Sequence, residues 1–171
     1  MILQGKKIIL RSVELTDTDT LFKWENDRSN WPVSGTKRPF TKKEIKDFII
    51  NQKDIYLDKQ LRMMICLLQP PALSWFTIGC IDLFDFDQPD LKAGVGILIE
   101  KKYRKNGYAS DALSLLIKYC FEILHLKQLN CIIDEENISS IMLFQKLKFK
   151  IIKKQNGMHS LQLISSLRRT K

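Results

Sequence analysis

The chain has 171 residues, 44% hydrophobic and 27% charged, the length and balance of one soluble globular domain spanning residues 1–171. Seven Gly and five Pro rule out a collagenous or low-complexity chain. Lys and Arg number 28 against 19 Asp and Glu, a formal charge of +9. That charge calls for an anionic partner, be it a nucleic acid, a membrane surface or a phosphorylated small molecule.

Ile8–Leu15 mixes apolar residues with Arg11, Ser12 and Glu14 and reads as a first strand. Thr16–Asp19 supplies N-cap residues ahead of Leu21, Phe22 and Trp24, which predicts a helix to about Asp27. Arg28–Phe40 holds two prolines and a glycine and is expected to be loop. Thr41 with Glu44 forms a capping box that opens a helix through Ile45, Phe48 and Ile49. Arg62–Leu68 and Thr77–Phe84 are strand candidates separated by Gln69-Pro70-Pro71. An acidic turn, Asp85–Lys92, leads to a third strand, Ala93–Ile99. From Ala109 to Leu124 the apolar residues recur at helical spacing, and the pattern predicts a long helix packed on a sheet. Lys127–Ile133 is a strand and Asn137–Leu147 an amphipathic helix. Phe149–Lys153 and Ser160–Ile164 form a hairpin across Asn156-Gly157. The partial alternation predicts an α/β (α+β) fold, a mixed sheet of about seven strands with helices on both faces.

Cys66, Cys80, Cys120 and Cys131 each lie in an apolar run and are expected as buried thiols in a reducing compartment. No C-x-x-C pair occurs, and His125 and His159 stand apart, so no zinc pattern is present. The N-terminus lacks a signal-peptide core, and no apolar run approaches the ~20 residues of a membrane span, so a cytoplasmic protein is expected.

The segment richest in chemistry lies between strand Ala93–Ile99 and the long helix: Arg104-Lys105-Asn106-Gly107-Tyr108-Ala109. The first amides of a helix have no internal partner, and the helix dipole adds positive charge there, so this is an anion site. Gly107 admits close approach of a phosphate, and Lys101, Lys102, Arg104 and Lys105 add charge. The pattern is neither a Walker loop nor a dinucleotide fingerprint.

Arg104–Ala109, the strand before it and Asn137-x-x-Ser140…Phe144-Gln-Lys146-Leu-Lys-Phe149 resemble the GCN5-related N-acetyltransferase (GNAT) family. Leu10-Arg11 on the first strand, Gly79 opening the third, and Tyr119-x-Phe121-x-x-Leu124 join the resemblance. It is nearest the branch of spermidine N-acetyltransferases and ribosomal-protein N-terminal acetyltransferases. The resemblance implies acetyl-CoA in a V between strands Ala93–Ile99 and Leu129–Ile133. Its pantetheine would pair with Ile97, Leu98 and Ile99, its pyrophosphate would sit on Arg104, Lys105, Asn106, Gly107, Tyr108, Ala109 and Ser110, and Asn137 would touch the cofactor or simply cap its helix. It also implies direct attack of a primary amine, with no metal and no acyl-enzyme.

A primary amine has a pKa near 10, so only about one molecule in a thousand is neutral at pH 7 and a base or water relay is needed. Asp82 and Asp85 are the candidate acids, for both catalysis and substrate binding, with Asp134, Glu135 and Glu136 behind them. Trp31 is the candidate acceptor-site aromatic, Trp24 a core residue, and Trp75 a further aromatic for that pocket. Three departures from the family stand out: Phe144 in place of a proton-returning Tyr, Lys148 in place of Gly, and Gly94 where some polyamine enzymes carry an acid. The expected acceptor is a small amine or polyamine such as spermidine. A protein N-terminus is the alternative within the family, with homo-oligomers common in that branch. A non-catalytic acyl-CoA-binding module is a third reading, motivated by Phe144. The competing class is a nucleic-acid-binding protein, suggested by Lys37-Arg38, Lys42-Lys43, Lys146–Lys154 and Arg168–Lys171. No binding motif or aromatic ladder supports it, so nucleic acid ranks last and a membrane is not expected.

Overall fold

A computed structural model describes residues 1–31, 36–69 and 74–166. Pro32, Pro70, Pro71, the side chain of Trp75 and the basic Arg168–Lys171 lie outside the described residues.

The eight strands are β1 (Ile2–Gln4), β2 (Ile9–Ser12), β3 (Leu61–Gln69), β4 (Ser74–Asp87), β5 (Lys92–Ile99), β6 (Gln128–Asp134), β7 (Lys150–Gln155) and β8 (Met158–Ile164). They form one sheet in the order β1-β2-β3-β4-β5-β6-β8-β7, antiparallel except for β5 against β6. The helices are α1 (Thr18–Glu25), α2 (Lys42–Asn51), a single turn α3 (Ile55–Asp58), α4 (Tyr108–Lys118) and α5 (Ile138–Lys146). The strand expected at Ile8–Leu15 shortens to Ile9–Ser12, and β1 and α3 are additions to the expected order. The helix expected to reach Leu124 ends its α part at Lys118 and widens into a π turn over Tyr119–Ile123.

Both faces of the sheet's first half are covered because β2 to β5 alternate between two cores. Ile8, Leu10, Met63, Ile65, Ile81, Leu83 and Val95 pack with Ala112, Leu113 and Leu116 of α4 and Cys120 of the π turn. Ile9, Met64, Cys66 and Cys80 pack with Leu21 and Trp24 of α1 and Ile45 and Ile49 of α2. Trp24 is therefore a core residue. Each fully buried Leu or Ile contributes about 1.5–3 kcal/mol relative to exposure. Arg11 crosses the second core as a buried ion pair. Asp17 accepts from Nη1 at 2.7 Å and Nη2 at 2.6 Å, and Thr77 Oγ1 accepts a third bond at 3.2 Å. Burial opposes the charge, but the bonds to Asp17 outweigh it and raise the guanidinium's pKa above its ordinary value.

Local signals close the elements where the sequence placed them. Thr41 Oγ1 accepts from Glu44 N–H at 3.2 Å while Glu44 accepts from Thr41 N–H at 2.7 Å, the reciprocal cap of α2. Asn156 and Gly157 turn the β7–β8 hairpin with φ of 52° and 73°. At the end of α5, Lys148 adopts φ 73°, so the turn is the left-handed one a glycine would make. A non-glycine residue pays about 1–2 kcal/mol there, and Phe149 N–H closes it onto Phe144 C=O at 3.1 Å. All four cysteines are buried free thiols. Among the described residues no helix is long and apolar enough to cross a membrane, and no group of three His, Cys, Asp or Glu could hold a metal.

Candidate functional site

The site begins where the sheet splits. β5 and β6 are in register only from Lys92 opposite Gln128 to Gly94 opposite Asn130, and beyond that point the strands part. On its other side β5 stays paired with β4, Gly79 opposite Ile99 through Phe84 opposite Gly94. Glu100 N–H donates to Ile78 C=O at 2.9 Å, and a Cβ built on Gly79 would meet Leu98 O at 2.1 Å. Leu98 thus points its carbonyl at β4, and strand alternation turns the backbone of Ile97 and Ile99 toward the gap. Arg104 Nε donates to Ile99 C=O at 2.9 Å, which ties the basic loop to the strand edge.

The loop then presents the N-terminus of α4. Lys105 and Gly107 are left-handed, with φ of 65° and 82°. Asn106 Nδ2 braces the turn by donating to Tyr103 and Arg104 carbonyls at 3.2 and 3.0 Å. Gly107 is the N-cap, so no side chain caps the helix. The amides of Tyr108, Ala109 and Ser110 precede its first internal bond, Asp111 N–H to Gly107 C=O at 3.1 Å. Three free amides and a dipole, ringed by exposed Arg104 and Lys105, fit an anionic group such as a pyrophosphate. Lys7, which sequence reasoning missed, joins them from the β1–β2 turn: its Nζ donates to Asn106 C=O at 3.0 Å and lies beside Gly107. Asp111 holds that turn, accepting from Lys7 N–H at 2.6 Å and Ile8 N–H at 3.2 Å.

A cleft of about 370 Å³ opens beside the gap, on the side of α1 and α2. Its walls include Ile97 and Gly96 of β5, Cys131 and Ile133 of β6, and Asn137, Ser140 and Phe144 at and on α5. Its lining continues through Glu25, Phe40, Phe48, Arg62, Asp82 and Phe84. Asn137 both caps α5, accepting from Ser140 N–H at 3.2 Å, and lines the cleft. Phe144 is buried edge-on against Phe149 at 4.9 Å, so no hydroxyl stands there; Ser140, one turn earlier, carries the hydroxyl on this wall. Burial pushes the Cys131 thiol up to about 12, which keeps it protonated and unreactive.

The two candidate acids are placed differently. Asp82 lines the cleft but both its oxygens face Arg62, accepting from Nε at 2.7 Å and Nη2 at 3.1 Å. Arg62 Nη1 donates to Glu25 as well. Asp85 is exposed, left-handed at φ 49° in the bulge between Phe84 and Asp87, and lies outside the cleft lining. Asp134 accepts from Glu136 N–H at 2.8 Å in the turn before α5, and neither it nor Glu135 and Glu136 reaches the lining. Trp31 Nε1 donates to Glu25 C=O at 2.8 Å, buttressing the end of α1 rather than the cleft wall. Glu25 itself was missed. The available signal was an acid at the last position of α1, where the helix dipole disfavours it.

Residues 7–150 match the family model described as acetyltransferase (GNAT) domain. The uncharacterized N-acetyltransferase p20 of Bacillus licheniformis is 28% identical over 150 residues, covering 86% of this chain and 82% of that protein. The spermidine N(1)-acetyltransferase of Escherichia coli K12 is 32% identical over 73 residues, 43% of this chain and 39% of that protein. The solved structure of spermidine N-acetyltransferase from Vibrio cholerae in complex with CoA and spermine superposes with a TM-score of 0.82 at 18% identity, covering 94% and 96% of the two chains.

Proposed function

The chain belongs to the GNAT acetyltransferase family, whose members use acetyl-CoA, and on that premise we propose that it acetylates a primary amine, a small amine or polyamine, held in the cleft beside β5. The observation that carries this reading is the parting of β5 from β6 next to an uncapped helix N-terminus. The backbone of Ile97 and Ile99 offers the gap a strand edge to pair with, and the amides from Tyr108 to Ser110, with Lys7, Arg104 and Lys105, receive phosphate charge. Asn137 adds its amide nitrogen from the opposite wall.

Bound acetyl-CoA supplies an activated thioester. The amine nitrogen forms the new C–N bond as the C–S bond breaks; its proton leaves to water and the thiolate takes one from solvent. The chain's own part is to hold the acceptor and keep the amine end near β5. Asp82, opposite Gly96, and Glu25 attract its charge, and Phe40, Phe48 and Phe84 exclude water. With Phe144 bare of a hydroxyl, thiolate protonation falls to water, which is adequate because a thiolate is a good leaving group.

Calorimetric titration with acetyl-CoA and with CoA at moderate salt is the test, followed by an amine panel read by chromatographic release of CoA. One-site binding in the micromolar range is expected. No binding at millimolar acetyl-CoA would overturn the reading and return the basic surface, with nucleic acid, to the front.

A further inference from the structure

Three chain segments meet at the acceptor end of the cleft, and their charges do not simply add up to an acidic pocket. Glu25 ends α1, Arg62 opens β3 and Asp82 lies opposite it on β4. The guanidinium forks onto Asp82 through Nε and Nη2 and reaches Glu25 through Nη1. Its backbone is fixed on both sides by Gln52, which accepts from Arg62 N–H at 2.6 Å and donates to Arg62 C=O at 2.9 Å. Its Cζ lies over the Phe48 ring, 5.2 Å from the centroid. The three side chains keep 16–23% of their surface, so they face the cleft rather than the core. Burial opposes the guanidinium's charge, but the facing carboxylates outweigh it and hold Arg62 protonated.

Among the described residues the result is a cleft end with two carboxylates and a resident cation between them, leaving one net negative charge. Gly94 and Gly96 shape the wall beside it. A Cβ on Gly94 would meet the Phe84 ring at 2.3 Å, and one on Gly96 would meet it at 3.6 Å, so the ring lies flat across the two glycines. Phe84, Phe40 and Leu61 give this end an apolar side, next to Gln60 and Thr36. Apolar and aromatic side chains beside a few placed charged groups make the lining of a small-organic-ligand site. A second ammonium entering the same space would sit within a few ångströms of Arg62, where two like charges repel strongly in a partly buried setting.

We propose that Arg62 sets acceptor specificity by occupying the place of a second substrate cation, so that the cleft takes an arylalkyl monoamine in preference to a polyamine. This rests on the acetyltransferase reading above and narrows its substrate class. Arg62 is in this sense a built-in counter-ion: it neutralises one of the two acids a polyamine would use and leaves the other to receive a single ammonium, which loses its proton to water before the same nitrogen attacks the thioester.

The test measures binding and turnover separately. With CoA bound, the wild-type protein is titrated calorimetrically with phenethylamine, spermidine and a short peptide with a free α-amine. Phenethylamine is expected to bind at least tenfold more tightly than either. Arg62→Met frees both carboxylates and reverses the order, raising spermidine affinity at least tenfold; Arg62→Lys keeps a cation and keeps the wild-type order. If Arg62→Met does not fold, Asp82→Asn serves instead: it neutralises the cleft and weakens phenethylamine about tenfold. Wild-type preference for spermidine or the peptide, no binding of any amine, or an order unmoved by the substitutions overturns the proposal. The expected binding order without acetylated product retracts the transferase reading and leaves the specificity standing. Preferential acetylation of spermidine does the reverse.

Discussion

Gly79 of β4 lies against the backbone of β5, the strand proposed to receive acetyl-CoA, and replacing it with Ala would test how rigidly that strand is held. A methyl group there would lie 2.1 Å from the Leu98 carbonyl oxygen and 3.1 Å from Ile99 Cα. Both are backbone atoms, so no side-chain rotation relieves the overlap. An ordinary contact begins at 3.4 Å, about 1.3 Å more, which the two central strands can supply only by separating. The upper part of the overpacking range applies, about 3 kcal/mol, and at 2–4 °C per kcal/mol for a chain of this size Tm should fall by about 6–12 °C. The same displacement moves Ile97 and Ile99 away from productive register, and a misplacement of about 1 Å can cost 10²-fold in rate. Differential scanning calorimetry reads the first effect, and kcat/KM for acetyl transfer below Tm reads the second. A variant with Tm within 1 °C of wild type and unchanged kcat/KM would refute the reasoning, because it would mean that β5 slides freely past β4.

Removing Asp17 leaves Arg11 buried without its carboxylate, so Asp17→Ala should lose about 3–5 kcal/mol by chemical denaturation, whereas Arg11→Met with Asp17→Leu should lose less than that single change; equal or additive losses would contradict a desolvated pair. Cys131, with its thiol pushed up to about 12, holds only about 10⁻⁴ thiolate at pH 8, so iodoacetamide should label it about 10³-fold more slowly in the native protein than in urea, as peptide mass mapping would show. The linkage has a definite sign: the folded state binds the Cys131 proton more tightly, so this contribution to stability is complete below the unfolded thiol pKa and falls away as pH rises through about 12.

What could be read from the sequence was local. Thr41 with Glu44, Asn156-Gly157 and the helical spacing from Ala109 each encode their structure within a few residues, and all three are in the fold. The loop from Arg104 to Ala109 was legible for the same reason, since a glycine before a helix is a short-range signal. β1 was not: three residues, Ile2–Gln4, become a strand only because β2 offers them Arg11, Leu10 and Ile9 as partners. The π turn at Tyr119–Ile123 keeps the apolar spacing of the α-helix closely enough to be hidden in it. The acceptor end was least legible of all. Asp82 was singled out for its strand-end position, but Arg62 and Glu25, which determine what that carboxylate can do, lie 20 and 57 positions away from it in the chain. Their meeting is a product of the sheet order and of where α1 ends, and nothing in their neighbours announces it.

The docking of the β1–β2 turn onto α4 bears on how the basic loop before that helix can be made at all. Lys7 and Asn106 are 99 residues apart, and Lys7 and Asp111 are 104 apart. Closing a loop of that length costs chain entropy that only the intervening strands can repay, so contacts of such separation form late in folding. The stretch from β5 through α4 is therefore not a transplantable cassette, because grafted elsewhere it would lack the ammonium beside Gly107 and leave Asp111 without its two amide donors. In a refolding experiment, recovery of CoA binding should trail recovery of helical content, and the lag would time the arrival of the N-terminal turn.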